Sequence, residues 1–391
     1  MKKTVNLSHV RTINQRAILD AIFQKGDTSK AQLARMLDMS KPSMADNVAA
    51  LLQIGIIKEI GEGACSSGGG RKPTLLGFCD DFKYIIVMDF QYQHSYFCLS
   101  DLRGTIINQF TIQQTPTADL NSWITMCINA VSMLMASQCI THQDLAAIAV
   151  SAPGILNDND KNYIVSSKYG DFNVGQMEER LTEAFPVPVL IKNSANASVL
   201  GEWCCGGGRD CSHLAFVSCG QGVGAGILLN GRLHEGNHLA AGEIGFCITP
   251  ESLTSKNVSL ENRICIDSIL RQLNRDCQGQ PASFPDMIKR YQAQDPQVTA
   301  LVDLISIELG CAVCNLLSVI DCELVIIGGD YLAFEEQLIP KIQKIVDDHA
   351  AISVPVIPSR LGEKASVLGL IATSREFYFK QICTRTVGDE Q

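Results

Sequence analysis

The stretch that most constrains this chain is Val187-Pro-Val-Leu-Ile-Lys-Asn-Ser-Ala-Asn196. Residues 187–191 are apolar and β-prone, which predicts a buried strand. Asn193 and Ser194 break that pattern, and Ser194 to Trp203 predicts a helix. A strand that ends in small polar side chains at a helix start sets them at the carboxyl edge of a sheet, where ligands of open α/β sheets bind. The chemistry of that edge turns on Ser194. A carboxylate there would fit a general base, and a hydroxyl does not.

Strand and helix patterns alternate around this junction. Tyr84–Phe90, Tyr96–Ser100 and Thr105–Thr111 read as an antiparallel meander. A helix over Asn121–Gln138 and a strand over Leu145–Val150, ending in Ser151-Ala-Pro-Gly154, follow. A second unit opens at Leu214–Ser218, turns through Cys219-Gly-Gln-Gly-Val-Gly-Ala-Gly226 and continues in Ile227–Gly231. An apolar helix over Leu301–Leu317 and a strand into Gly328-Gly329 complete it. Two similar α/β lobes with a cleft between them are expected. Glycine turns at strand ends bring backbone N–H groups close to phosphate, and they also serve plain hairpins.

The first 78 residues differ. A helix over Arg11–Lys25 stops at Gly26. A second is capped by Ser29, with Gln32 placed for a capping box. A third starts at Ser40, carries Pro42 in its first turn and ends at Gly55. Two short helices joined through Asp38-Met39-Ser40 form a helix-turn-helix, and the second is the candidate for the major groove. Its leading edge, Ser40, Lys41, Ser43, Met44 and Asn47, suits contacts to phosphates and base edges. Ile56–Ile60 and Thr74–Phe78 look like the strands of a wing. Between them, Gly68-Gly-Gly-Arg71-Lys72-Pro73 is a slim cationic tip that fits a narrow minor groove. The alternative is a small helical bundle for protein contact with a solvated linker.

Charge separates the two parts. Residues 1–76 carry a net +5 and the remainder a net −14, so only the head suits a polyanion. The 16 cysteines are scattered. Cys204-Cys205 and Cys311-Ala-Val-Cys314 fit small core residues in a reduced compartment as well as metal or redox motifs. No apolar run approaches the length of a membrane span, and Met1–Asn6 has no apolar stretch behind it, so a cytoplasmic protein is expected.

The chain resembles the ROK family of repressors and sugar kinases. The match rests on Gly220-Gln-Gly-Val-Gly-Ala-Gly-Ile-Leu-Leu-Asn-Gly-Arg-Leu-His-Glu-Gly236 and Ala241-Gly-Glu-Ile-Gly245. Ser151–Gly154, Asn193–Glu202 and Val325–Gly329 fall in the family order, and the winged head with Gly70-Arg-Lys-Pro73 looks like the repressor branch. The resemblance implies an α/β chain: a winged helix-turn-helix over 1–78 and a two-lobed, actin-like, sugar kinase-like body over 79–391. Lobe one would take about 79–200 plus the C-terminal helix, and lobe two about 201–370.

The departures from the family carry equal weight. Its kinases open with a phosphate loop D-x-G-x-T; here Asp89 is followed by Gln91, Tyr92 and Gln93. Gln221 stands where threonine is usual. The general base of the N-D-A-N stretch is Ser194. The family's structural zinc uses a histidine, here Phe246, and three cysteines, here Val258, Leu260 and Cys265, so no zinc is expected. The resemblance places effector contacts at Asn193, Ser194, Glu243 and Asp267. Asn193 equally suits a helix cap, and Glu243 equally suits N–H groups of the glycine-rich turn.

These readings favour a regulator, a repressor by family branch, that binds a double-stranded DNA operator as a homodimer or homotetramer. A carbohydrate effector, no cofactor, no catalysis and no membrane partner are expected. The alternatives are a kinase carrying a DNA-binding head, and a regulator that has lost small-molecule sensing.

Overall fold

The computed structural model describes residues 7–63, 72–92, 94–113, 119–152, 154–156, 163–165, 174–248, 259–275 and 280–388. The head consists of α1 (Leu7–Lys25), β1 (Thr28–Ser29), α2 (Lys30–Met36), α3 (Lys41–Ile54), β2 (Ile57–Glu62) and β3 (Thr74–Phe78). Its boundaries follow the capping chemistry. Ser29 accepts from the Gln32 backbone N–H, and the Gln32 side chain returns the bond to Ser29 N–H. Ser40 caps α3, Pro42 sits in its first turn, and Gly55 ends it at φ +89°, a conformation glycine adopts without strain. Thr28–Ser29 pairs with β3 as a third strand, which two residues of sequence could not announce.

The body opens with β4 (Tyr84–Phe90), β5 (Ser95–Asp101), β6 (Ile106–Ile112), α4 (Leu120–Ser137), β7 (Leu145–Ala152), β8 (Ile155–Leu156) and β9 (Tyr163–Val165). Next come α5 (Val174–Ala184), β10 (Val189–Asn193) and α6 (Ser194–Cys205). After them are β11 (Leu214–Cys219), β12 (Val223–Leu229), β13 (Arg232–Leu233), α7 (Leu260–Ile264), α8 (Ile266–Leu273) and α9 (Phe284–Gln292). The last elements are α10 (Pro296–Ile320), β14 (Leu324–Gly328), α11 (Glu335–His349), β15 (Val356–Pro358) and α12 (Lys364–Gly388).

Two sheets share one plan. The first has order β10-β7-β4-β5-β6 and the second β13-β12-β11-β14-β15. Each begins with an antiparallel meander, and each adds two parallel strands on the far side of its first strand. Asn193, Ser151 and Asp89 end up on neighbouring strands, in the registers Asn193↔Ala152 and Asp89↔Ser151. The sequence junction is therefore the carboxyl edge of the first sheet.

α4 and α10 are long and apolar enough to cross a membrane, with mean hydropathies of 1.2 and 1.8. That corrects the expectation that no run of this kind exists. Both helices seat an apolar face in the core, through Trp123, Ile124 and Val131 in α4 and Val302, Ile305 and Leu309 in α10.

Head and body share one continuous core. Ile18, Leu19 and Ile22 of α1 and Leu76 and Phe78 of β3 pack in the same cluster as Leu370, Ile371 and Phe379 of α12. Phe23, Phe78 and Phe379 form an edge-to-face triad with centroids 5.2–5.8 Å apart. The guanidinium of Arg375 lies 4.4 Å from the Phe23 ring centre and that of Arg103 lies 5.0 Å from it.

Candidate functional site

The helical phase of α3 decides which of its residues reach solvent. Met44, Val48 and Leu51 are one or two turns apart and are all buried, so Met44, 1% exposed, belongs to the head core. Asn47 is 5% exposed and its amide donates to the Ser43 carbonyl at 2.7 Å. These two do not present a base-reading side chain, contrary to the sequence expectation. The Ser43 hydroxyl receives Asn14 Nδ2 at 3.5 Å and Asn47 Nδ2 at 3.4 Å. Ser40 and Lys41 are exposed, with the Ser40 hydroxyl spent on the helix cap.

The outer face also holds Pro42, Ala45, Asp46 and Ala49, all exposed. Sequence reasoning missed them by favouring donors over phase. At the wing, Gly63 N–H donates to Pro73 O, and exposed Lys72 lies 3.8 Å from Glu62. Arg71 lies outside the described residues.

At the junction, Asn193 caps α6. Its Oδ1 accepts from Ala195 N–H at 2.8 Å and Asn196 N–H at 3.3 Å, while Nδ2 donates to Gly154 O at 2.9 Å. Ser194 is half-buried, and among the described residues no carboxylate or imidazole hydrogen-bonds its hydroxyl. Lys192 of β10 in the first sheet pairs with Glu235, which follows β13 of the second sheet, at 2.7 Å.

Asp89 faces this edge from β4 and is 1% exposed. Burial pushes its carboxyl pKa up, against the donors around it. Gln91 Nε2 and Ser366 Oγ each donate to its Oδ2 at 2.9 Å. Gln91 thus folds back onto Asp89. Gln93 lies outside the described residues.

The glycine-rich turn is occupied by the protein's own carboxylates. Gln221 N–H donates to Asp330 at 3.1 Å, and Val223 N–H donates to Glu261 at 2.9 Å. Glycines in this turn and in Ala241–Gly245 are required by packing. A Cβ on Gly226 would sit 2.3 Å from Ala195 O, on Gly242 1.9 Å from Ala225 O, and on Gly245 2.3 Å from Val223 O. The carboxylates that satisfy the turn are thus Glu261 and Asp330, not Glu243. Glu243 is partly buried, and burial first and then the nearby Glu261 charge push its pKa up to about 7. Asp267 is exposed in the first turn of α8.

The positions that would hold zinc are apolar or engaged. Phe246 is 54% exposed, Leu260 is buried, and Cys265 Sγ lies 3.3 Å from Ser268 Oγ. Val258 lies outside the described residues. Cys204, Cys205, Cys311 and Cys314 are free thiols.

The ROK family model matches residues 87–376, and a winged helix-turn-helix DNA-binding model matches residues 11–58. The chain is 25% identical to a xylose repressor of Lactiplantibacillus pentosus, over 94% of this chain and 93% of the relative. It is 24% identical to the DNA-binding transcriptional dual regulator NagC of Escherichia coli, over 93% and 92%. Among solved structures, a ROK family transcriptional regulator, a homologue of the E. coli Mlc protein, has a TM-score of 0.81 at 20% identity and covers 97% of this chain and 100% of its own. A ROK hexokinase from Thermus thermophilus has a TM-score of 0.61 at 20% identity and covers 74% of this chain and 97% of its own. The structural likenesses fix the fold: a winged head on a two-lobed, sugar kinase-like body.

Proposed function

This chain belongs to the ROK family, and from that premise we propose that it is a DNA-binding transcriptional repressor whose kinase-like body senses a carbohydrate and does not phosphorylate it. The observation that carries the proposal is coverage. The likeness to the xylose repressor runs through head and body alike, whereas the hexokinase spans almost all of itself and only three quarters of this chain.

The site supports the same reading. The junction offers Ser194 where the family base is an aspartate, with no partner among the described residues to take its proton. The turn that would cradle phosphate already donates two N–H groups to Asp330 and Glu261. Two carboxylates at that spot repel a phosphoryl group. The raised pKa of Glu243 suits a ligand rich in hydroxyl donors, because such donors stabilise the carboxylate form. Xylose and N-acetylglucosamine are the sugars in the relatives' names and are the first to test.

In this reading residues 1–78 form the operator-binding unit and 79–391 the sensing body. Ser40, Lys41 and Lys72, with Arg71, lie along the phosphates. Asn193, Ser194, Glu243 and Asp267 line the effector cleft. Two copies meet a palindromic operator in the compartment that holds the DNA. A body with no sensing role is the second reading, favoured by the Asn193 amide, which is already bonded at both ends.

The test takes full-length protein and a randomised duplex pool at two salt concentrations. Enrichment of one sequence family with steep salt dependence supports the head assignment. Release of that DNA by a sugar supports sensing, and no release by any sugar favours the second reading. Turnover of ATP with a sugar to sugar phosphate would overturn the non-enzyme reading.

A further inference from the structure

We infer that α3 reads its operator through thymine methyl groups and one carboxylate: Ala45 and Ala49 meet the methyls, and Asp46 accepts from a cytosine amino group. The inference rests on the operator-binding reading of the head and names the base chemistry of that same helix.

The phase of α3 defines the reading face. An α-helix turns about 100° per residue. Met44, Asn47, Val48 and Leu51 point one way, into the head core. Pro42, Ala45, Asp46 and Ala49 fall on the opposite side and are exposed. Lys41 and Ser43 fall between the two sides, one on each flank. When such a helix lies in the major groove, its flanks meet the phosphate walls and its central stripe meets base edges. Gln53 continues the stripe, but in the last turn, whereas the N-terminal residues of a recognition helix are the ones that reach bases.

The stripe is mostly apolar. The side chains of Pro42, Ala45 and Ala49 hold no donor or acceptor. Their complement in the groove is the C5 methyl of thymine, the apolar group that distinguishes that base there. Alanine is also short. It lets the helix backbone approach the base edges, near enough for a side chain as short as aspartate to touch one.

Within the first turns of this stripe, Asp46 supplies the polar atoms. An ionised carboxylate only accepts. The N7 and O6 of guanine and the O4 of thymine are acceptors too, and they repel it. Adenine sets its N7 acceptor beside its amino donor, while cytosine presents its N4 amino donor alone. Cytosine is therefore the base that fits. No structural duty competes for this carboxylate. Asp46 lies beyond the first turn of α3, where a negative charge would serve the helix dipole. Among the described residues, no hydrogen bond or ion pair engages it. Brought between phosphates, the carboxylate costs affinity wherever no such donor meets it, so it sharpens the choice of sequence. Ala45 and Ala49 lie about 6 Å apart along the axis, or about two base-pair steps, so methyls and cytosine belong to one short run of bases.

The test uses the full-length protein and the duplex it selects from a randomised pool. Each thymine of that duplex is replaced in turn by deoxyuridine, which differs only in lacking the C5 methyl. At one or more thymines within about two base pairs of a cytosine, the wild type should lose about fourfold in affinity, the worth of one buried methyl. In Ala45→Gly or Ala49→Gly that penalty should vanish. A ratio of two duplexes is read, so a general loss of stability in the variant cancels. Replacing the cytosine should cost the wild type about fivefold or more. Asp46→Asn should move the preferred base from cytosine to adenine. Asp46→Ala should erase the preference and tighten binding to a scrambled duplex. Affinity that is indifferent to the thymine methyls, or a base preference that survives Asp46→Ala unchanged, overturns this inference alone. A pool that yields no enriched sequence overturns it together with the operator-binding reading.

Discussion

Glu243→Gln should stabilise the protein, and only above mid-range pH. The Glu243 carboxyl has an ordinary value of 4.5 and is pushed up to about 7 in the fold, by burial first and the Glu261 charge second. A carboxyl with a raised folded pKa binds more protons folded than unfolded between those values. Its relative stabilisation is fully present below pH 4.5 and is lost as pH rises through about 7. The shift corresponds to about 3 kcal/mol of penalty for the ionised form at pH 8. Solvent screening at a partly exposed group brings the expected gain from glutamine to about 1–2 kcal/mol.

Urea unfolding of wild type and Glu243→Gln at half-unit steps from pH 4.5 to 8.5 reads this directly. The two stability curves should nearly coincide at pH 4.5 and diverge steadily to about pH 7.5, with the variant the more stable. Parallel curves across that range would refute the claim that Glu243 is strained by burial and by Glu261. A saturating ligand that donates hydroxyls to the carboxylate should pull the wild-type curve towards the variant's at high pH.

Other changes probe other parts. Lys41→Ala should weaken DNA binding at every sequence and lower the log–log salt slope by about 1, measured by titration against a selected duplex. Met44→Ala should instead cost about 2–5 kcal/mol of fold stability by emptying a core site, read by thermal unfolding. Gly226→Ala should destabilise severely while Gly222→Ala, whose Cβ would meet only Glu261 Oε2 at 3.3 Å, should fold; parallel melts would show which glycines packing requires. Phe379→Ala should cost about 3–5 kcal/mol and split one calorimetric transition into two, because it removes the shared ring of the head–body core. Ser194→Asp should not restore sugar phosphorylation in a coupled ATP assay, since Asp330 and Glu261 still occupy the turn.

Much of the head was legible in the sequence because its signals are local. Ser29 with Gln32, Ser40 with Pro42, and Gly55 each act within one turn, and they set the helix ends. The duplicated meanders were legible too, since alternating strands and turns leave a short-range pattern. The groove-facing residues were misassigned for a physical reason. Polarity suggested Asn47 and position suggested Met44, but each lies four residues before a core residue, Met44 before Val48 and Asn47 before Leu51, and the helix turns both inward. The phase alone would have exposed Ala45 and Ala49. The short strand β1 depends on pairing with Leu75 and Leu76 of β3, and the shared core of α1 and α12 on contacts hundreds of residues apart, neither of which a short window of sequence reports.

The candidate site shows where a motif and its meaning separate. Gly220 to Gly226 keeps the glycines of a phosphate turn, yet its geometry answers two other demands. Gly226 must be small because Ala195 O lies against it, and the N–H groups of Gln221 and Val223 are already bonded to carboxylates more than thirty residues away in sequence. Selection for packing preserves such glycines whether or not a phosphate ever arrives. The polar groups are under no such packing constraint, and it is there that the chain departs: serine at 194, and Gln91 folded onto Asp89. On the proposed reading the body keeps the packing of a two-lobed fold and departs from its family at the polar groups that would serve phosphoryl transfer.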